Sequence, residues 1–278
     1  MDWLVEPFSH RFMLEALIAG ILAVVTTSLV GTWVVIRGLS FMGDALAHGV
    51  LPGIALAFIL GFDLTLGAIA GALVMVAGIN LVHRTARLRE DTGIGLLFVG
   101  MLGLGVIIVS RLPSFTGSLT TFLFGDILGI RPHDLVLEAA AAAITLVGVV
   151  VLYRPLLVVS FNEAKAQLLC LYPRLAHTAM LVLLTVAIVA SFRVVGTLLV
   201  FGLLVAPPAT ASLVARRVPT MMATAVVLGG VSVVAGLLIS WHAATAAGAT
   251  VAAVSVALFF LVLLGRGLIA RRPAILDR

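Results

Sequence analysis

The sequence predicts an all-α polytopic membrane protein, with eight to nine transmembrane helices and short re-entrant or coupling helices between them. Composition is the first reason: of 278 residues, 62% are hydrophobic and only 10% are charged. Mean hydropathy is +1.27, far outside the range of water-soluble domains. The second reason is that the apolar residues fall in successive runs of about 20, the length that crosses the hydrocarbon core of a bilayer. Such runs leave no room for a soluble catalytic domain, so residues 1–278 read as a single transmembrane domain. The one cysteine, Cys170, excludes a disulfide framework and any multi-cysteine metal centre, and reads as a small apolar filler. The formal charge of +5 belongs to Lys and Arg in membrane-flanking loops. It is no nucleic-acid signal, since no aromatic-basic interleaving accompanies it.

Residues 1–11 form a short polar lead, with Phe8 suited to the headgroup level. The apolar run 12–36 is too long for a signal peptide and reads as the first span. The second and third spans, 45–60 and 64–82, meet at a tight turn, Gly61-Phe62-Asp63. A fourth covers 93–110. Residues 111–130 are less hydrophobic and too short to span, so they are expected to form a surface or re-entrant helix. A fifth span is expected at 134–153, followed by the longest polar connection of the second half, 154–177. Four further spans are read at 178–192, 194–215, 221–240 and 246–265. Arg84, Arg87 and Arg89 make one positive cluster, Arg154, Lys165 and Arg174 a second, Arg216 and Arg217 a third, and Arg266, Arg271 and Arg272 a fourth. They alternate with poorly charged connections, so the positive-inside rule places them, and the C-terminus, in the cytoplasm. Nine spans then put Arg37 inside and the N-terminus outside; eight would alter this.

The stretch 37–53, R-G-L-S-F-M-G-D-A-L-A-H-G-V-L-P-G, sets Asp44 and His48 four residues apart in an otherwise apolar chain. On a helix they share one face, and a carboxylate with an imidazole can bind a divalent metal. Pro52 has no N–H, so in a helix the His48 carbonyl loses its donor and becomes a third candidate oxygen. The glycines at 38, 43, 49 and 53 favour a bend or broken helix. The plainer reading has Asp44 capping a helix that starts at Ala45. Membrane depth favours the metal reading, because ionisable residues there are costly and mark ion pathways.

Within the connection at about 155–176, F-N-E-A-K-A-Q-L-L-C-L is a short helical pattern with Asn162 as N-cap and Ala164, Ala166, Leu168, Leu169 and Leu171 able to pack. It suits either a docking lever for a partner or an interfacial helix. In the stretch 194–211, Pro207 and Pro208 remove two backbone donors and are expected to break or kink a helix, giving a hinge or a static kink.

Four ordered stretches, V-I-R-G-L-S-F-M-G-D-A-L-A-H-G-V-L-P-G-I-A-L-A around 35–57, F-L-F-G-D-I-L-G-I at 122–130, S-F-N-E-A-K-A at 160–166 and V-V-G-T-L-L-V-F-G-L-L-V-A-P-P-A-T-A at 194–211, resemble the permease subunits of bacterial ABC-type zinc/manganese importers. The resemblance covers nearly the whole chain. It implies a homodimer in the bacterial inner membrane, energised by two cytoplasmic ATPase subunits and supplied by an extracytoplasmic metal-binding protein. It puts Asp44 and His48 on metal-gating positions. It also puts Asn162, Glu163, Ala164, Lys165 and Ala166 on the helix that contacts the ATPase, although the family pattern favours aspartate at 162 and glycine at 170.

Asp126 and His242 are weaker site candidates, the first favoured as a structural hydrogen-bonding group and the second as an interfacial histidine beside Trp241. Asp63 and His133 read as turn and cap residues, and Glu15 as a group that attracts cations. No G-x-x-x-x-G-K-S/T occurs, so ATP hydrolysis belongs to a partner and the chain is no enzyme; no H-E-x-x-H occurs either. No permanently bound cofactor is expected, only transported Zn2+ or Mn2+, with a slight lean to zinc from the compact donor set. An ion-coupled secondary metal transporter or an ABC permease for a metal chelate is the alternative. The former often carries an inverted repeat, and no clear one is seen.

Overall fold

A computed structural model of the chain describes residues 6–85, 90–111 and 129–270. Among these residues there is no strand. A 3-10 turn at Pro7–Ser9 leads into helices α1 (Arg11–Ile36), α2 (Ser40–Gly49), α3 (Leu51–Leu60), α4 (Leu64–Thr85), α5 (Glu90–Val109) and α6 (Pro132–Val151). Then follow α7 (Tyr153–Phe161), α8 (Glu163–Leu168), α9 (Pro173–Val195), α10 (Thr197–Val214), α11 (Val218–Ala243) and α12 (Ala247–Ala270). Among the described residues, eight helices or helix pairs are long and apolar enough to cross a membrane, α2 and α3 counting together as Ser40–Leu60; Leu199–Val214 in α10 is a shorter apolar ninth. The chain is a multi-pass membrane protein.

The bundle is assembled around α1, which packs against α2, α6, α9, α10 and α11. Thr26, Thr27, Ser28 and Thr32 are fully buried in it. The hydroxyls of Thr26, Thr27 and Thr32 donate to the carbonyls of Leu22, Ala23 and Ser28 at 2.8, 2.6 and 2.8 Å, the local solution open to a hydroxyl that has no water to bond. The helix ends at Gly38, whose φ of +69° lets Leu39 N–H return to the Val34 carbonyl at 2.9 Å and stop the helix cleanly. At the far end of the next span Asp63 behaves as expected, its Oδ1 accepting the Thr65 N–H at 2.7 Å to start α4. His133 does not cap; the acceptor for the Arg131 N–H at the start of α6 is Asp134, at 3.2 Å.

Two differences from the sequence expectations have clear causes. Pro207 and Pro208 do not break α10, which continues through both to Val214. Proline removes only the donors to the Leu203 and Leu204 carbonyls, and tight packing against α1 holds the helix together there. A Cβ added to Gly31 of α1 would collide with the Leu204 carbonyl oxygen, so the carbonyl freed by Pro208 is pressed onto a glycine. The interruption lies at Gly196 instead, with φ +79° and ψ 159° between α9 and α10. The second difference is in the polar connection 154–177, most of which is helical, as α7, α8 and the first turn of α9. Asp126 and the expected re-entrant helix around it lie outside the described residues.

One buried acid goes beyond the sequence expectations. Glu138 of α6 is fully buried, and its Oε1 accepts a hydrogen bond from Ser191 of α9 at 2.7 Å. Glu138→Ala leaves the Ser191 hydroxyl unpaired, at an expected cost of about 1–3 kcal/mol, whereas Glu138→Gln keeps an acceptor oxygen and costs less. Thermal unfolding of the detergent-purified chain checks both, and equal losses for the two variants contradict the assignment.

Candidate functional site

The second span is built in two halves. α2 ends at Gly49, Val50 turns, and α3 begins at Leu51 with Pro52 in its first turn, where a proline sacrifices no intrahelical bond. Val50 is the middle residue of the 21-residue span Ser40–Leu60, so the interruption falls at mid-span and His48 lies two residues before it. The Ile54 N–H reaches the Val50 carbonyl at 3.1 Å.

Close packing keeps lipid away from the interruption. A Cβ on Gly71 of α4 would stand 2.9 Å from the Val50 carbonyl oxygen, and one on Gly105 of α5 would stand 3.3 Å from the Pro52 nitrogen. Bulkier residues at either place would push the neighbouring helix off the junction.

Asp44 lies inside α2, which starts at Ser40, so it does not cap a helix. One turn on, His48 Nε2 stands 3.4 Å from Asp44 Oδ1, and the two side chains are 21% and 30% exposed respectively. Two donors each about 2.1 Å from one ion are about 3.0–3.4 Å apart at octahedral to tetrahedral angles. The pair thus has the spacing of two ligands of a shared cation. The imidazole is held edge-on to Phe98 of α5, ring centroids 6.0 Å apart, and Phe98 in turn meets Phe41 at 5.4 Å. His48 Nδ1 is buried without a hydrogen-bond partner, so Phe98 and the contact of Nε2 with Asp44 are what fix the ring. No third His, Cys, Asp or Glu joins the pair among the described residues.

The other candidates lie elsewhere. His242 Nδ1 bonds back to the Leu238 carbonyl at 2.9 Å in the last turn of α11, and neighbouring Trp241 stacks on His10, ring centroids 5.2 Å apart. Glu15 is paired with Arg11 one turn away at 2.8 Å. Glu138, which the sequence reading passes over, offers one signal: it is the only charged residue in the run 135–153.

At the polar end of the bundle, α8 is a built feature. Asn162 Oδ1 accepts the Lys165 N–H at 2.9 Å as N-cap. Ala166 is fully buried and packs with Val159 of α7 and Ala176 of α9. Glu163, Ala164 and Lys165 are exposed. Leu168 and Leu169, expected to pack, are 84% and 53% exposed. Cys170 is exposed rather than a filler and has φ +54°, with the Leu171 N–H returning to the Ala166 carbonyl at 3.0 Å. This is a left-handed helix cap, the position that favours glycine.

Residues 9–266 match the model of the ABC 3 transport family. The chain is 36% identical to the manganese import system permease protein ScaB of Streptococcus parasanguinis, covering 91% of this chain and 89% of that one. It is 35% identical to the chelated iron transport system membrane protein YfeD of Yersinia pestis, covering 93% of this chain and 87% of that one. Among solved structures, PsaBC from Streptococcus pneumoniae in complex with Fab superposes with a TM-score of 0.83 at 31% identity, covering 94% of each chain.

Cys170→Gly removes the cost of a side chain in the left-handed region, and stabilisation by about 1 kcal/mol is expected. Slower amide exchange in α8 is the measurement that shows it.

Proposed function

Because the chain belongs to the ABC 3 transport family, we propose that it is the transmembrane permease subunit of an ATP-driven importer for a divalent transition-metal ion. The observation that carries this reading is the 3.4 Å separation of His48 Nε2 and Asp44 Oδ1 in the first half of the second span. Two copies of the chain supply two carboxylates and two imidazoles, enough for the coordination that one copy cannot complete. The sequence has no phosphate-binding loop, which leaves hydrolysis to two cytoplasmic partner subunits.

The transport step follows from alternating access. A loaded extracytoplasmic binding protein delivers the ion to the outer side. Closure of the ATPases moves α8, whose exposed Leu168 and Leu169 provide an apolar contact and whose buried Ala166 ties it to α9. The ion then leaves the Asp44–His48 pairs on the cytoplasmic side, where the positive loops and the C-terminus lie. In this scheme Pro52 keeps the mid-span interruption from healing into a continuous helix, and Pro207 and Pro208 leave α10 able to bend.

Manganese is the favoured cargo. Carboxylate oxygens suit it, and relatives carry manganese in their names, so the slight lean to zinc gives way. The name of the Yersinia pestis relative keeps a chelate permease as the second reading.

Uptake into proteoliposomes holding the chain with its ATPase and binding protein tests the proposal. Mn2+ is expected to accumulate only with ATP, and Asp44→Ala and His48→Ala are each expected to reduce the rate at least about a hundredfold while the complex still assembles. Accumulation driven by a proton gradient without the ATPase points to a secondary transporter, and uptake of chelated but not free metal points to the second reading.

A further inference from the structure

Leu204 of α10 is fully buried and meets two other spans at once. Its carbonyl, deprived of a donor by Pro208, lies against Gly31 of α1, and its side chain lies against Gly43 of α2. A Cβ on Gly31 would collide with the carbonyl oxygen; a Cβ on Gly43 would collide with Leu204 Cδ2. Gly43 immediately precedes Asp44. Phe201, one turn earlier on α10, closes the same spot, its Cδ2 being 3.8 Å from that Cβ position.

α2 is only ten residues long and is released from α3 at Val50, so it can tilt or rotate as a short rod. Its own residues Met42, Ala45 and Leu46 are buried, and the contact at Gly43 is where α10 presses on it. α10 itself hangs from α9 through Gly196, whose φ of +79° with ψ 159° only glycine readily adopts. α9 receives the packing of α8 through Ala166 and Ala176. An unbroken series of packed elements therefore runs from the coupling helix to Asp44, and Leu204 is its last member.

Resting on the permease reading above, we infer that Leu204 is a positioning residue for the metal site: its side chain, seated on Gly43, sets where α2 holds Asp44 and His48, and movement of α10 reaches the ion through this contact. The collision is with a side chain at Gly43 and with backbone at Gly31, and that difference makes the assignment testable.

The experiment titrates Mn2+ into the assembled complex, followed by its electron paramagnetic resonance signal, alongside the yield of complex and ATP-driven uptake. Gly43→Ala and Leu204→Ala are each expected to weaken Mn2+ binding at least about tenfold, the first by displacing α2 and the second by leaving it unsupported. The double variant puts the methyl gained at position 43 into the space vacated at 204, so its affinity is expected to return to within about threefold of the native value. Gly31→Ala is not rescued by Leu204→Ala, because alanine keeps the carbonyl. Native affinity in Leu204→Ala, or a double variant as weak as its parents, overturns the inference. If Gly43→Ala fails to assemble, Leu204→Ala alone still decides it. A native complex that binds and imports no metal removes the permease reading itself, a result separate from either outcome.

Discussion

Hydrocarbon offers no hydrogen-bond partner, and the places where this chain departs from regular helix are organised by that constraint. The interruptions inside the bundle are covered by other parts of the protein. The Val50 junction is enclosed by Gly71 and Gly105, and the carbonyl freed by Pro208 lies on Gly31. The buried hydroxyls of Thr26, Thr27 and Thr32 in α1 return to their own helix, and the buried Glu138 is met by Ser191. Small residues are what make such cover possible, because only they let one helix approach the exposed backbone of another.

The same constraint shapes the site. An ion crossing the membrane must exchange water for protein donors, and the donors must not be consumed by the helix that carries them. Asp44 and His48 project from one face of a short half-helix, 3.4 Å apart, with the imidazole against Phe98 and Phe98 against Phe41.

Much of the architecture was legible in the sequence because hydrophobic length is an unambiguous signal. Spans, turns at Gly38 and Gly61, the N-cap at Asn162 and the i, i+4 placement of Asp44 and His48 all follow from local chemistry. Other features depend on what lies across the interface, which periodicity does not report. The double proline reads as a break or a kink, and α10 runs on past it without a break. Leu168 and Leu169 read as core, but only Ala166 faces the bundle in so short a helix. Glu138 escapes a sequence reading because its partner is far away in the chain.

The left-handed cap at the end of α8 has a practical side. The chain contains a single cysteine, and its thiol is exposed at the junction between α8 and α9. A thiol-reactive fluorophore or spin label therefore attaches at one defined place without any native cysteine having to be removed. The sequence thus carries a built-in reporter on the segment that joins α8 to α9.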